Sequence, residues 1–132
     1  MYTLAVSDHV MIAHSFADPV FGPAQRLHGA TYTVDLQIRV RSLNAHDVVM
    51  DIGRLREILR ETLQQIDYCN LDEHPAFEGK LSSTERVAEY LCNEIASRLS
   101  ALALNEGPNP GGTLVVQVRE SPVAYASYER AL

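Results

Sequence analysis

The sequence lacks any apolar run long enough to cross a membrane, and it is poor in basic residues. Its 132 residues contain no stretch of about 18 consecutive apolar side chains, which argues against a transmembrane helix. Lys and Arg together number 11 against 17 Asp and Glu, so the net charge is −6. Proteins that bind nucleic acid usually present a clustered basic face, and this charge balance therefore argues against such a partner.

Cysteine is also scarce. The two cysteines, Cys69 and Cys92, fit no metal-binding spacing, and free thiols are typical of a cytoplasmic protein. The first residues alternate in polarity and include no basic segment ahead of an apolar one, so no secretion signal is expected. The sequence therefore predicts a cytoplasmic protein.

Apolar residues, by contrast, are plentiful. They make up 46% of the chain, which is enough to build a hydrophobic core. A length of 132 residues suits one domain and is short for two. We therefore expect a single domain over residues 1–132.

Alternation of apolar and polar residues predicts two strands near the N-terminus. The first covers residues 2–16, where the even-numbered positions are mostly apolar and Asp8 is the charged exception. A loop over residues 17–26 follows, marked by two prolines. The second strand has two faces of different polarity. Its apolar face carries Tyr32, Val34, Leu36, Ile38 and Val40, and its polar face carries Thr33, Asp35, Gln37, Arg39 and Arg41.

Two segments with apolar residues at helical spacing come next. In the first, Asp51 is the expected N-cap and the apolar stripe lies within residues 52–66. In the second, the stripe lies within residues 87–102, either Ser82 or Ser83 is the expected start, and Ser82 is placed to form a capping box with Glu85. Both segments therefore predict amphipathic helices with one buried side.

The remaining segments complete the predicted fold. Residues 67–80 contain a proline and a glycine and predict a loop, and residues 113–120 and 123–129 predict a hairpin. The order is then ββααββ, an α+β fold with a four-stranded antiparallel sheet and two helices on one face. Pairing with neighbouring chains would cover the exposed edges of so small a sheet.

Several short segments occur in an order typical of one protein family: IAHSF, LHG, VVMDIGRLR, IDYCNLD, SSTERVAEYL and RES. Over nearly its whole length the sequence resembles the 6-pyruvoyl-tetrahydropterin synthase / 6-carboxy-tetrahydropterin synthase family. The resemblance implies the tunnelling fold, in which ββααββ subunits join their sheets into an oligomeric barrel, here a homohexamer built as a dimer of trimers. It also implies a carbon–oxygen lyase that binds a pterin-like small molecule at subunit junctions.

The resemblance implies a zinc ion held by three histidines, one from the first strand and two from an H-G-H at the second. His14 and His28 match two of these positions, but Ala30 occupies the third. Catalytic zinc usually has three protein ligands, and alanine has no lone pair to offer. The sequence therefore leaves zinc binding open, and the alternative is that both histidines only form local hydrogen bonds.

The catalytic residues implied by the resemblance are altered as well. The cysteine that serves as base corresponds to Ala24, which cannot accept a proton. The motif L-D-H-x-x-L-N becomes I-D-Y-C-N-L-D, so Asp67 is kept and Tyr68 replaces the histidine. Tyrosine, with a reference pKa of about 10, is a poor proton acceptor near neutral pH. Cys69 is a candidate relocated thiol or, alternatively, a buried free cysteine. Asp67, Tyr68 and Cys69 are the predicted catalytic residues.

The ring-binding positions are better preserved. Glu120 matches the glutamate that receives the guanidine-like edge of a pterin through two parallel hydrogen bonds, although it also suits a solvated strand end. Ser83 and Thr84 match positions that help to hold the ring, and both also suit helix capping. Arg26, close to His28, is placed to meet a triphosphate or carboxylate. These four are the predicted substrate-binding residues.

Three functions remain open from the sequence. The first is a pterin lyase with an altered site, in which Glu120 anchors the ring and Asp67, Tyr68 and His28 share proton transfer. The second is a non-catalytic pterin- or purine-binding protein of the same fold, and the third is a metal-free enzyme of another reaction class. Because a base, its partner and a zinc ligand are all replaced, we expect the standard reaction to be very slow.

Overall fold

The computed structural model describes residues 1–132, which form one sheet covered on one face by two α-helices. In chain order the elements are β1 (Tyr2–His14), β2 (His28–Val40), α1 (Ile52–Leu63), β3 (Cys69–Asn70), α2 (Thr84–Ser100), β4 (Thr113–Ser121) and β5 (Ala124–Ala131). Short 3-10 helices occupy the loops at Pro19–Gln25, Leu71–Glu73 and Pro75–Phe77. Neither α-helix has the length and apolar character needed to pass through a lipid bilayer.

The sheet has five strands in the order β3-β1-β2-β4-β5. The prediction of a four-stranded antiparallel sheet therefore missed one short strand, β3. The four long strands pair antiparallel as expected, whereas β3 runs parallel to β1 and places Cys69 opposite Ile12. The segment of β3 was predicted as loop because two residues are too few to show alternation. Hydrogen bonds between Met11 and the two residues before β3, Asp67 and Tyr68, hold it in the sheet.

The core lies between the sheet and the helices, as the alternation predicted. Even-numbered residues of β1, β2 and β4 face the helices, because successive side chains of a strand point to opposite faces. The fully buried members with the largest side chains include Tyr32, Leu36, Ile38, Leu55, Ile58, Leu59, Ile66, Leu91, Ile95 and Leu114. Ile52 was predicted to begin the buried stripe of α1 but is 54% exposed, and it is the first residue of the helix.

The two helix starts differ in how well they were predicted. The Asp51 side chain accepts a hydrogen bond from the Arg54 backbone N–H and caps α1 as expected. In α2 the N-cap is Ser83, whose hydroxyl accepts from the Arg86 N–H at 3.3 Å. The predicted capping box from Ser82 is therefore wrong, and the side chain of Ser82 is free for another contact.

The other face of the sheet is uncovered and polar, as predicted for β2. Here Asp35 accepts hydrogen bonds from Ser7 of β1 and, at 3.4 Å, from Gln117 of β4. Arg119 lies 5.0 Å from the ring centroid of Tyr125 across the β4–β5 pair. The edges of the sheet are β3 and β5, and no part of the chain covers this face.

One end of the sheet collects the residues of interest. β1 ends at His14 directly opposite His28, where β2 begins. β4 ends at the same side, since Arg119 pairs with Thr33 near the start of β2. The N-terminus of α2 also lies there, because Thr84 contacts Glu120. Residues far apart in sequence are therefore brought together by the antiparallel order of the strands.

Candidate functional site

The centre of this sheet end is a pair of histidines held by backbone carbonyls. His14 is 4% exposed, and its Nδ1 lies 3.0 Å from the Ser82 carbonyl oxygen and 3.1 Å from the Ser82 hydroxyl. Nδ1 of the half-buried His28 lies 2.8 Å from the Arg26 carbonyl oxygen. Because a carbonyl only accepts, Nδ1 carries the proton in both rings and Nε2 keeps a free lone pair. The ring centroids are 4.6 Å apart in an edge-on arrangement.

His14 is electrostatically set to be neutral. Burial lowers the pKa of His14 below its ordinary value of 6.5, and proximity to His28 acts in the same direction. The Ser82 carbonyl and the carboxylates of Asp72 and Glu120 oppose this effect and do not overcome it. At neutral pH the His14 imidazole is therefore uncharged, as a proton acceptor or a metal ligand must be.

Aromatic side chains form a wall around the two histidines. The Phe16 centroid lies 4.7 Å from that of His14, and Phe21 packs on Phe16 at 4.9 Å. The 3-10 helix at Pro19–Gln25 folds back onto this wall, because the Ala24 carbonyl accepts a hydrogen bond from the Phe16 N–H at 3.0 Å. Ala24 is thus held against Phe16, two residues beyond His14, and its side chain is only a methyl group.

Glu120 and Thr84 form a second polar group at the same end. The Thr84 hydroxyl donates a hydrogen bond to Oε2 of Glu120 at 3.0 Å. Tyr32 lies next to both: burial and the Glu120 charge raise the pKa of its phenol to about 12, although proximity to the Thr84 hydroxyl acts in the opposite direction. In a single chain Glu120 is exposed, so the carboxylate is oriented but still open to a ligand.

Two of the predicted substrate-binding residues have other roles. The Ser83 side chain caps α2 by accepting a hydrogen bond from the Arg86 N–H, in agreement with the capping role that the sequence also allowed. The exposed Arg26 side chain forms no ion pair within the chain, and its backbone carbonyl orients His28. Of the four predicted substrate-binding residues, the structure therefore brings only Glu120 and Thr84 into direct contact. Arg26 contacts His28 through its backbone carbonyl.

The predicted catalytic residues Asp67, Tyr68 and Cys69 lie at the β3 edge. Oδ1 of Asp67 accepts from the Met11 N–H at 3.0 Å, and the Tyr68 N–H donates to the Met11 carbonyl at 2.7 Å. Tyr68 adopts a positive φ of 56°, and its side chain is 81% exposed. Cys69 is half-buried, with Sγ 3.5 Å from the Asp67 carbonyl oxygen.

The β3 edge is distant from Glu120 within one chain. β3 and β4 are three strand spacings apart in the sheet, which is roughly 14 Å. Glu120 on β4 and Tyr68 beside β3 therefore do not meet within a single chain. A ligand bound to Glu120 of one chain could therefore contact only the Tyr68 of a neighbouring chain.

Sequence reasoning missed three residues that shape the site. Ser82 holds His14, Tyr32 adjoins Thr84, and Asp72 accepts hydrogen bonds from the backbone N–H and the hydroxyl of Ser15. For Tyr32 a signal existed, since its parity in β2 places it on the face of His28. Ser82 and Asp72 are 68 and 57 residues from their partners, and no local pattern reveals such contacts.

Comparison with known proteins identifies the family. A family model described as 6-pyruvoyl tetrahydropterin synthase matches residues 3–131. The chain belongs to this family. A curated relative, the 6-carboxy-5,6,7,8-tetrahydropterin synthase of Bacillus subtilis (strain 168), is 26% identical over 124 residues, which cover 91% of this chain and 80% of the relative.

Solved structures of 6-pyruvoyl tetrahydropterin synthases share the fold. The Caenorhabditis elegans structure superposes with a TM-score of 0.77 at 21% identity, covering 98% of this chain and 96% of that one. The Plasmodium vivax structure gives a TM-score of 0.76 at 22% identity, covering 99% and 98%. At this level of identity the likeness concerns the fold alone.

The donor set does not fit the three-histidine zinc site that the resemblance implied for the family. His14 and His28 both present a free Nε2, but Ala30 contributes none, and the chain contains no group of three His, Cys, Asp or Glu side chains able to hold a metal ion. Three protein ligands are usual for catalytic zinc. One chain alone therefore supplies two imidazoles and lacks the third ligand.

Proposed function

We propose that the protein binds a pterin-type small molecule at this end of the sheet and acts on it as a 6-pyruvoyl/6-carboxy-tetrahydropterin synthase-like carbon–oxygen lyase with an altered catalytic site. The observation that carries the proposal is the Thr84–Glu120 contact of 3.0 Å beside the His14–His28 pair, in a chain of this family. A ring-binding group and proton acceptors are thus adjacent.

Glu120 supplies the recognition of the ring. An ionised carboxylate has two oxygens and accepts two parallel hydrogen bonds from the N–H groups of a guanidine-like edge. Thr84 holds one oxygen, and lone pairs on both oxygens remain for the ligand. The same geometry suits a 2-aminopurine-type edge, so the recognised feature is the paired N–H donors of a flat nitrogen heterocycle.

Proton transfer falls to the histidines and Tyr68. The neutral His14 and the adjacent His28 each present Nε2 as a proton acceptor toward a ligand side chain. The Tyr68 phenol is a proton donor, and Asp67 is a positioning residue because it and the Tyr68 backbone bind the same residue, Met11. Cys69 remains a candidate thiol next to them. In this scheme Asp67, Tyr68 and Cys69 act on the ligand of a neighbouring copy.

The assembly that brings them together is a homohexamer formed as a dimer of trimers, with the sheets of its subunits joined into a barrel. The open β3 and β5 edges and the uncovered polar face of the sheet support it, because unpaired strand edges favour pairing with other strands. Pairing of the β3 side of one copy with the β5 edge of the next shortens the distance between Tyr68 and Glu120 of different chains.

We expect His14 and His28 to bind zinc weakly at most. Two imidazoles bind the ion more loosely than a complete set of three, and no step above depends on it. Metal analysis of protein purified without added zinc tests this point. Zinc at one equivalent per chain would contradict weak binding and would require a further ligand from a neighbouring chain.

The proposal predicts that Glu120→Gln strongly weakens pterin binding. Replacing one carboxylate oxygen by an amide N–H sets donor against donor, and the loss of a charged hydrogen-bonded pair weakens binding roughly 100-fold. Neopterin, which is fluorescent, is titrated into wild type and variant and followed by fluorescence anisotropy. Glu106→Gln, a change at an exposed loop glutamate, is the matched control and leaves binding intact.

The same preparations are incubated with dihydroneopterin triphosphate, and triphosphate release is measured. Slow release in the wild type that disappears in Glu120→Gln supports a lyase with an altered site. Neopterin binding without any release would instead support the non-catalytic binding protein. Absence of neopterin binding in the wild type would contradict ring recognition by Glu120.

A further inference from the structure

The surface that borders the histidine pair is aromatic. The Phe16 ring centroid lies 4.7 Å from that of His14 and 6.1 Å from that of His28, so this ring adjoins both histidines. Phe21 packs on Phe16, with centroids 4.9 Å apart. Phe16 is half-buried and Phe21 is 39% exposed, so both rings keep surface that a ligand can cover. A ligand group placed against the two histidines therefore has an aromatic neighbour.

Backbone and side-chain hydrogen bonds hold this aromatic surface in place. The Phe16 N–H donates to the Ala24 carbonyl at 3.0 Å, which closes the loop that carries Phe21. Inside the loop, the Asp18 carboxylate accepts a hydrogen bond from the Val20 N–H at 2.9 Å, and the Asp18 carbonyl accepts from the Phe21 N–H at 3.1 Å. The two rings therefore have a defined position beside the histidines.

The charges around the aromatic surface are mostly negative. Asp18 follows Phe16 by two residues, and Asp72 accepts hydrogen bonds from the backbone N–H and hydroxyl of Ser15. A cleft of about 720 Å³ lies beside Ser15 and Ala17, the two neighbours of Phe16. Its charged lining consists of Asp72, Glu73, Glu78 and Lys80. Carboxylates therefore outnumber cations on this side of the site.

This environment is unfavourable for a phosphorylated ligand. A triphosphate would bring several negative charges toward these carboxylates and would lose hydration against the aromatic rings, and both effects cost free energy. Arg26 is the cation next to His28, but its side chain is exposed to solvent, where a single ion pair contributes little. An uncharged side chain meets neither cost, and its C–H groups can pack on the rings.

We propose that Phe16, supported by Phe21, is a specificity-determining residue that favours a pterin with an uncharged side chain over one with a phosphorylated side chain. The inference rests on the proposed function, because the ring must first bind to Glu120 for its side chain to lie near the histidines. It narrows the substrate class of the same site to unphosphorylated pterins. It also gives a physical reason for slow triphosphate release.

The test compares the affinities of wild type for neopterin and for neopterin triphosphate, which differ only in the phosphate groups. Both are fluorescent, and binding is followed by fluorescence anisotropy. Neopterin is expected to bind about tenfold more tightly, because the triphosphate meets like charges. The difference is expected to decrease as the salt concentration rises, since salt screens repulsion between charges that are exposed to solvent.

Substitutions in the aromatic surface are expected to change this preference in a defined direction. Phe16→Arg places a cation beside the histidines and is expected to remove or reverse the preference for neopterin. Phe16→Leu keeps the surface apolar and is expected to retain the preference. Thermal unfolding shows whether each variant is folded. Phe21→Arg makes the same charge change at a more exposed position and gives the same readout if Phe16→Arg does not fold.

Asp18→Asn tests the contribution of charge separately. Asparagine keeps a side-chain oxygen for the Val20 N–H, so the loop stays closed while the negative charge is removed. The preference for neopterin is expected to fall about threefold, as one nearby charge is lost. Asp47→Asn, the same change in an exposed loop beyond the opposite end of β2, is the matched control and retains the wild-type preference.

The outcomes separate this inference from the proposed function. If wild type binds neopterin triphosphate at least as tightly as neopterin, and Glu120→Gln weakens both, the specificity role is refuted and the proposed function stands. The same conclusion follows if folded Phe16→Arg and Phe21→Arg variants keep the wild-type preference. If wild type binds neither pterin, the proposed function is refuted, and the specificity role is refuted with it.

Discussion

His14 is the residue whose chemistry depends most on the tertiary structure. In the unfolded chain it is an ordinary imidazole, whereas in the fold it is 4% exposed, bonded to Ser82 and close to His28. Burial disfavours the charged ring, so the pKa in the folded state lies below 6.5. A group that binds protons less readily when folded makes stability depend on pH.

We expect the free energy of unfolding to fall as the pH decreases below about 6.5. The unfolded chain then protonates His14 more readily than the folded chain, so the stabilisation present above this pH is lost as the pH falls through the folded-state pKa. Urea unfolding between pH 5.5 and 8, followed by circular dichroism, measures this dependence. His14→Gln reduces its slope.

The control is His9→Gln. His9 lies on β1 with the opposite parity, and its side chain is 75% exposed, so its replacement tests whether loss of a surface histidine alters the slope. Identical slopes for wild type and His14→Gln would show that the buried imidazole does not govern acid sensitivity.

At the scale of elements, the short strand β3 shows how a predicted catalytic motif also serves the fold. Asp67 accepts the Met11 N–H and Tyr68 donates to the Met11 carbonyl, so both backbone groups of one β1 residue are paired by this segment. The two bonds also hold Tyr68 at a positive φ, which is uncommon for a bulky residue. Asp67 is therefore structural whatever its part in catalysis.

We expect Asp67→Ala to lower the unfolding free energy by about 1–3 kcal/mol and to release the β3 edge, because the Met11 N–H loses its charged acceptor. Hydrogen exchange measured by NMR is expected to be faster at the Met11 amide than in wild type. Asp67→Asn keeps an acceptor oxygen at Oδ1 and retains most of the protection. Unchanged exchange at Met11 in Asp67→Ala would disprove this role.

At the scale of the whole molecule, the open edges and the polar face of the sheet are the features that favour the proposed assembly. β3 and β5 expose unpaired backbone groups, and the face carrying Ser7, Asp35 and Gln117 is covered by no helix. Edge pairing between copies satisfies both features and lets the polar face line a barrel interior. In the proposed assembly, the exposed Tyr68 of one chain would approach the Glu120 of another.

We expect native mass spectrometry at micromolar concentration to give a mass six times the 14.7 kDa of one chain. The physical reason is that six copies joined edge to edge as two trimers leave no strand edge in solvent. Size-exclusion chromatography with light scattering is an independent check. A stable single chain would contradict the assembly and, with it, the contribution of Tyr68 to a neighbouring site.

Much of the fold was evident from local patterns. The alternation in β2 and the helical spacing of apolar residues in α1 each show which face of the element is buried. These buried faces form the core between the sheet and the helices. β3 was missed because two residues carry no period, and Ser82 was misassigned because its cap-like position hid its bond to His14. The family likeness named His14, His28 and Glu120, whereas Tyr32 looked like an ordinary core residue.

The sequence by itself determined the order of the four long strands and two α-helices, their buried faces and the residue types available for chemistry, because these depend on neighbours a few positions apart. Only the tertiary structure decided that His14 meets His28 and Ser82, that Glu120 is a bulged residue held by Thr84, and that Asp67 binds Met11. Such contacts join segments up to 68 residues apart. They arise from strand register and helix docking, which no local pattern encodes.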